Sequence, residues 1–169
     1  SPNEREALRR GALLHDIGKI GVQDRVLRKA GLLNEEEAKE MREHPLIGYE
    51  MLRGLHFLEH SLSGVRHHHE RWDGSGYPDG LIGRGIPLRV RILSVADVFD
   101  AITSDRPYRP GLSAEAALEA IVAQRGKQFD PDVVDAFVVR ANAIKRLLTA
   151  MGRNLDPGPS DIGWQEVAS

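Results

Sequence analysis

The sequence predicts an all-α fold. Apolar residues recur at three- and four-residue spacings over most of the chain, and helix-capping residues stand in front of several of these segments. A glycine- and proline-rich stretch at 72–87 is the long interruption of this pattern. With 169 residues, 41% of them apolar and 28% charged, the chain has the size and composition of one soluble globular domain.

The first predicted helix covers residues 4–15, where Ala7, Leu8, Ala12 and Leu13 form an apolar stripe. It ends in His15-Asp16, and Gly18 and Gly21 then interrupt the helical pattern. Residues 27–33 are predicted to form a loop.

Asn34, with Glu37 three residues later, predicts a capped helix that runs to about His44. Pro45 is typical of the first turn of a further helix, which we expect to end near Gly54. Another helix is predicted from Phe57 to Glu70.

Residues 72–87 are predicted to form one long loop, and long ordered loops in compact domains are often functional. The apolar segment from Leu88 to Ile102 is long enough for a buried helix. Ser113 is expected to cap a helix to Arg125 that Gly126 ends. Asp130-Pro131 is expected to begin the last helix, which reaches about Met151 and leaves residues 152–169 as a loose tail.

Composition excludes several classes of function. The chain has no cysteine, which excludes disulfides and thiolate metal sites. Its net charge of −2 gives no general attraction to nucleic acid or to anionic lipid. No apolar run is long enough to span a membrane and no signal-peptide pattern opens the chain, so we expect a cytoplasmic setting.

Histidines dominate the candidate chemistry, since four of the seven fall between residues 60 and 69. His15-Asp16, at a predicted helix end, offers an imidazole and a carboxylate to one or two divalent metals. Such a pair on its own is more often two surface side chains that bind no metal. His68 and His69 are expected to point about 100° apart on a helix and so to serve two neighbouring ions. Oxygen and nitrogen ligands of this kind suit iron or manganese.

Two further candidates are less specific. Asp97 lies in an apolar run, where a carboxylate is costly unless it is paired or metal-bound, and Asp100 is an equal candidate for a buried salt bridge. His44, directly before Pro45, is either a ligand or a helix-end histidine beside the dipole. His56 and His60 have no carboxylate at a supporting spacing. His67 extends the His68-His69 pair, but three consecutive histidines cannot all face one cluster.

Basic and aromatic residues complete the candidate set. Lys19 offers a point charge to a phosphate, whereas Arg106 and Arg109 can grip a phosphate or a guanine in a fork. The glycines of the 72–87 loop allow close approach of a ligand, and Trp72 and Tyr77 offer stacking faces. Solvated charges and a stiff surface loop are the alternatives.

Five motifs occur in a fixed order: HDIGKIG at 15–21, EHP at 43–45, HHERWDGSGYP at 68–78, VADVFDAITSDRPYR at 95–109 and FDPDVVDAF at 129–137. Together they resemble the HD-GYP branch of the HD phosphohydrolase superfamily, over roughly residues 8–137. The resemblance implies an all-helical bundle with a long GYP loop, spanning residues 1–151. It also implies hydrolysis of the bacterial second messenger cyclic di-GMP to pGpG or GMP with two or three iron or manganese ions.

The resemblance also implies a role for each matched residue. It makes Asp16 a bridging metal ligand and Lys19 a contact of the scissile phosphate, and it makes Gly76-Tyr77-Pro78 a loop-shaping and partner-contact element. Arg106 and Arg109 would hold the nucleotide. The implied metal ligands are His15, Asp16, His44, His68, His69 and Asp97. Two ions about 3.5–4 Å apart would clamp the phosphate and activate a water.

One departure from the family concerns the N-terminus. The superfamily supplies a further histidine from a helix before the HD pair, and the fourteen residues before His15 contain none. We therefore expect either that the chain is a fragment or that the protein lacks this helix, and both would weaken the metal site. Loss of a packed helix would also expose apolar surface and favour a homodimer or aggregation. The expected partners are an upstream receiver or sensor domain and a GGDEF-domain protein at the GYP loop. The alternatives are a non-catalytic cyclic di-GMP or protein-binding module and a hydrolase of another nucleotide.

Overall fold

A computed structural model describes residues 1–105 and 110–150, without the side chains at 142, 145 and 147–149. The described residues are helical apart from loops, turns and an isolated bridge between Arg125 and Phe129, which confirms the predicted all-α class. The α-helices are α1 Pro2–Leu14, α2 Asp24–Leu27, α3 Glu35–Met41, α4 His44–Leu52, α5 Leu62–His67, α6 Leu88–Thr103, α7 Ala114–Ala123 and α8 Pro131–Ala150. Shorter 3-10 helices cover Ile17–Gly21, His56–Ser61 and Gly83–Gly85. No helix within the described ranges is both long and apolar enough to cross a membrane.

Capping explains why several helices begin where the sequence predicts. Asn34 accepts a hydrogen bond from the Glu37 N–H while the Glu37 carboxylate accepts one from the Asn34 N–H, so the predicted capping box is confirmed. Ser113 caps α7 through the Ala116 N–H.

The boundaries of other elements differ from the prediction. The segment after α1 is not a simple break, because Ile17–Gly21 closes three-residue turns such as Lys19 N–H to the Asp16 carbonyl at 3.0 Å. The short helix α2 was not predicted. The helix expected over 57–70 is instead a 3-10 helix followed by α5, which ends at His67. His44 begins α4 rather than ending α3.

The chain divides into two compact units, Ser1–Leu93 and Ser94–Ser169. The predicted domain limits at 151 and 152 both lie outside the described residues. In the first unit, α1 packs against α5, and α4 packs against both α5 and the 3-10 helix Ile17–Gly21. In the second unit, a separate apolar core forms around Phe99, Ile121, Phe129 and Val134.

A close backbone approach brings the HD pair beside α4. A Cβ atom on Gly18 would lie 1.9 Å from the His44 carbonyl oxygen and 2.5 Å from the Gly48 nitrogen. Only glycine fits there, so the 3-10 helix lies directly on the first turn of α4. The residues just before Gly18 are thereby held beside His44.

Candidate metal centre

Five of the predicted metal ligands lie together in the first unit, and we refer to them as the histidine cluster: His15, Asp16, His44, His68 and His69. They come from three places in the sequence. His15 and Asp16 follow α1, His44 begins α4, and His68 and His69 follow α5. His44 and His68 are almost fully buried, at 1% and 4% exposure.

Backbone carbonyls fix three of the imidazole rings. The Nδ1 atom lies 2.7 Å from the Ala12 oxygen in His15, 2.7 Å from the Met41 oxygen in His44, and 2.9 Å from the Val65 oxygen in His68. A carbonyl has no proton to give, so each Nδ1 must be the donor. In the neutral ring this leaves Nε2 as a bare acceptor, which is the tautomer that binds a metal through Nε2.

The Nε2 atoms converge on one another and on Asp16. His44 Nε2 lies 3.1 Å from His68 Nε2 and 3.4 Å from Asp16 Oδ1, and His68 Nε2 lies 3.8 Å from the same oxygen. Lone pairs that face one another at these distances repel unless a cation lies between them. A proton meets this need in a metal-free chain, and a metal ion meets it better because it takes several ligands at once.

The spacing fits shared coordination. With metal–nitrogen bonds of about 2.1 Å, two ligands of one ion lie about 3–4.2 Å apart. The His44–His68 separation of 3.1 Å falls within this range. Ligand atoms of His44, His68 and His69 all lie within 4.8 Å of one another. These nitrogen and oxygen donors therefore fit a divalent ion that favours imidazole and carboxylate.

Protonation states also favour metal binding. Burial, together with the neighbouring His44, lowers the pKa of His69 to about 3. Burial, with the neighbouring imidazoles, also places the pKa of His68 well below its usual value. Both rings are therefore neutral at neutral pH, which is the state in which imidazole binds a metal.

Asp16 stays ionised in these surroundings. Burial alone would raise the pKa of its carboxyl group, but the neighbouring His44 imidazole and Lys19 ammonium group outweigh burial and lower the pKa below its usual range. Lys19 donates from Nζ to Asp16 Oδ2 at 2.7 Å. The ammonium group predicted to contact phosphate therefore lies at the edge of the histidine cluster.

The prediction that His68 and His69 lie on a helix is wrong, because α5 ends before them. The chain leaves α5 after His67, so the 100° helical angle does not apply, and the two ring centroids lie 4.2 Å apart. His67 is directed elsewhere, as expected. His56 and His60 are exposed.

Three predicted site residues keep roles that rest on the resemblance alone: Asp97, Arg106 and Arg109. Asp97 is half-buried on α6 and belongs to the second unit, as does the exposed Asp100. Arg106 and Arg109 lie outside the described residues. The roles given to Asp97, Arg106 and Arg109 therefore stay predictions.

A second group of polar residues, which the sequence reasoning missed, lies beside the cluster, and we refer to it as the loop clamp: Arg66, His67, Glu70 and Asp79. Arg66 donates from Nε and Nη2 to the two oxygens of Asp79, each at 2.9 Å. The buried Glu70 carboxylate accepts from the Asp79 N–H at 2.8 Å and from the Leu81 N–H at 2.9 Å. The sequence signal was a charged residue at each end of the histidine- and glycine-rich segment 66–79.

The loop clamp folds the 72–87 loop back on the histidine segment. A Cβ atom on Gly76 would lie 2.3 Å from the Arg71 nitrogen and 2.6 Å from the His69 oxygen, so only glycine allows this return. The next residue, Tyr77, stacks on His69 with ring centroids 4.8 Å apart and planes 15° apart. The peptide bond from Tyr77 to Pro78 is cis. The GYP triplet therefore contacts the histidine cluster directly, through Tyr77 and His69.

Known proteins share this sequence and fold. A family model described as "HD domain" matches residues 1–133. The chain is 50% identical over 140 residues to the cyclic di-GMP phosphodiesterase response regulator RpfG of Xanthomonas campestris. This alignment covers 82% of this chain and 37% of that protein. It is 37% identical over 137 residues to 3′3′-cGAMP-specific phosphodiesterase 2 of Vibrio cholerae, in an alignment that covers 79% of this chain and 26% of that protein.

A solved structure shares the architecture. The crystal structure of a cyclic GMP-AMP specific phosphodiesterase from Vibrio cholerae aligns with a TM-score of 0.67 at 24% identity. The alignment covers 96% of this chain and 46% of that one. The chain therefore spans about a third of the length of the curated relatives and about half of the structural one.

Proposed function

This chain belongs to the HD domain family, and we propose that it is a metal-dependent phosphodiesterase that hydrolyses cyclic di-GMP to pGpG or GMP. The observation that carries the proposal is the convergence of imidazole Nε2 atoms on Asp16, with His44 and His68 only 3.1 Å apart. The name of the relative that is 50% identical supports cyclic di-GMP as the substrate.

In this proposal, His15, His44, His68, His69 and Asp16 hold two or three divalent ions, for which iron or manganese suits the donors best. Such ions, when bound, supply Lewis-acid polarisation of the phosphate and a water of lowered pKa. Asp97 would complete the ligand set from α6. The three carbonyl-anchored histidines keep their bare nitrogens aimed at the ions without reorganisation.

Lys19 has two tasks in this proposal. Before substrate arrives, its ammonium group compensates the Asp16 carboxylate, to which it donates at 2.7 Å. Once Asp16 binds metal, the ammonium group becomes available to a phosphate oxygen, where it would stabilise the negative charge that builds up during hydrolysis. Arg106 and Arg109 would orient the guanine or phosphate groups of the substrate.

The surroundings of the domain are also part of the proposal. The chain would act in the cytoplasm as the output part of a signalling protein with an upstream receiver or sensor domain, a setting that fits the response-regulator name of one relative. A GGDEF-domain partner at the GYP loop and a homodimer stay predictions.

The test is hydrolysis of cyclic di-GMP by the chain, prepared without oxygen and loaded with Fe(II) or Mn(II). Turnover should fall by more than about a hundredfold in Asp16→Asn, because a residue that binds the metal directly matters more than an outer partner, whose loss costs about 10–100-fold. His67→Gln is the matched control, since His67 belongs to the loop clamp, and it should retain turnover. Equal turnover in Asp16→Asn and wild type would contradict the proposal.

The substrate is tested separately with 3′3′-cGAMP, because a relative that is 37% identical is specific for that dinucleotide. We expect faster turnover of cyclic di-GMP. Faster turnover of 3′3′-cGAMP would keep the metal chemistry and replace the substrate. A chain that purifies and reconstitutes without stoichiometric metal would instead favour the non-catalytic binding module.

A further inference from the structure

His69 differs from the other histidines of the cluster in what holds its ring. His15, His44 and His68 each donate from Nδ1 to a backbone carbonyl within the same turn of the chain. Among the described residues, no carbonyl or carboxylate accepts a hydrogen bond from the His69 ring in this way. Its ring instead meets aromatic neighbours: His44, His68 and Tyr77.

The contact with Tyr77 is the one that restricts rotation of the His69 ring. The two rings lie nearly parallel, with 15° between their planes and 4.8 Å between their centroids. Rings in this arrangement gain attraction beyond simple burial, and a large flat neighbour blocks rotation about the ring bond. The backbone reinforces the pairing, because the Tyr77 N–H donates to the His69 carbonyl oxygen at 3.3 Å.

Three features of the surrounding structure hold Tyr77 in place. Gly76 allows the backbone to lie against His69 and Arg71, where any side chain would clash. Glu70 fixes the loop directly after Pro78 through the Asp79 and Leu81 N–H groups. The Arg42 guanidinium lies over the Tyr77 ring at 5.7 Å from its centroid, within the range of a cation–π contact.

We propose that Tyr77 is a positioning residue that fixes the orientation of the His69 imidazole toward the histidine cluster. The stack takes the place of the carbonyl hydrogen bond that orients each of the other three histidines. The central residue of the GYP triplet thus acts on a metal ligand of its own chain. This role rests on the proposed metal centre and differs from the partner contact expected of the loop.

The test is Mn(II) binding by the whole chain, measured by calorimetry and by loss of the free Mn(II) signal in electron paramagnetic resonance. Tyr77→Leu keeps an apolar side chain but removes the flat ring, and it should weaken Mn(II) affinity about tenfold, as loss of an orienting partner does. Tyr77→Phe keeps the stack and should bind as wild type. Trp72→Leu is the matched control, because Trp72 lies in the same loop but packs near Arg91.

Two results would overturn the proposal. One is an unchanged Mn(II) affinity in Tyr77→Leu. The other is an equal loss in Tyr77→Leu and Trp72→Leu, which would show that general integrity of the loop, rather than the stack, determines the affinity.

A second measurement needs no metal and so separates this proposal from the proposed function. In the metal-free chain, the ring protons of His69 should show an upfield ring-current shift in the proton spectrum. Tyr77→Phe should keep this shift and Tyr77→Leu should lose it. A wild-type chain that binds no Mn(II) would contradict the metal centre, while an unshifted His69 in that same chain would contradict the stack.

Discussion

The histidine cluster and the loop clamp share the segment 66–79, which supplies two residues of the cluster and all four of the clamp. Each group contains three potential metal ligands within 4.8 Å of one another. They differ in what satisfies their polar atoms. In the cluster, the Nε2 atoms of His44 and His68 face each other and a carboxylate. In the clamp, backbone N–H groups and the Arg66 guanidinium already occupy the Glu70 and Asp79 oxygens.

The difference teaches that proximity of ligand atoms does not by itself make a metal site. A divalent ion at the clamp would lie beside the positive charge of Arg66 and would compete with four existing hydrogen bonds. An ion at the cluster would relieve a repulsion instead. This contrast supports the proposal that the cluster binds metal, while the clamp closes the loop.

Exchanging one histidine in each group should give the largest effect. His68→Gln removes a nitrogen from the convergent set and should weaken Mn(II) binding by more than about a hundredfold, beyond the 10–100-fold cost of losing an outer partner. His67→Gln should leave the affinity close to wild type, because His67 Nδ1 faces Asp79 at 3.4 Å rather than the cluster. Calorimetric titration with Mn(II) measures both, and similar losses in the two variants would break the distinction.

Truncating the clamp carboxylate should affect stability instead. Glu70→Ala leaves the Asp79 and Leu81 N–H groups without their acceptor, which should lower the free energy of unfolding by about 1–3 kcal/mol. Glu70→Gln keeps one acceptor oxygen and should cost less. Urea unfolding of the metal-free chain measures the difference. A Glu70→Ala protein as stable as wild type would contradict the role of Glu70 in closing the loop.

The last prediction concerns the dependence of stability on pH. Burial lowers the pKa of His69 to about 3, from 6.5, and also lowers the pKa of His68. Below 6.5 the unfolded chain therefore binds protons that the folded chain does not. As the pH is lowered below 6.5, the free energy of unfolding should therefore fall by up to about 1.4 kcal/mol per pH unit for each such histidine. Asp16 does not add to this, because its lowered pKa stabilises the fold above 3.8 and that stability is lost only below 3.8.

Urea unfolding of the metal-free chain at about pH 7 and at about pH 5.5 checks the sign of this effect. The paired substitution of His68 and His69 by glutamine should flatten the dependence, whereas His67→Gln should change it less. A wild-type chain that becomes more stable on acidification would contradict the neutral state assigned to the two rings.

Much of the secondary structure could be predicted because its signals are local. The capping box of Asn34 and Glu37, the cap at Ser113 and the turn residue Pro131 each act within one helical turn, and all three lie where a helix begins. Local patterns failed where packing decided the backbone. The 3-10 helix at Ile17–Gly21 depends on its contact with α4 through Gly18, a residue thirty positions away from its partner Gly48.

The sequence by itself determined the all-α class, the types of metal ligand and the five ordered motifs that carry the family resemblance. Only the tertiary structure decided how the rings of His68 and His69 are held. The chain leaves α5 at His67, the Val65 carbonyl fixes the His68 ring, and the returning loop places Tyr77 against the His69 ring. It also decided that Glu70 and Asp79 close that loop. The physical reason is that ring orientation and hydrogen-bond saturation depend on partners distant in sequence, whereas helix caps and residue chemistry do not.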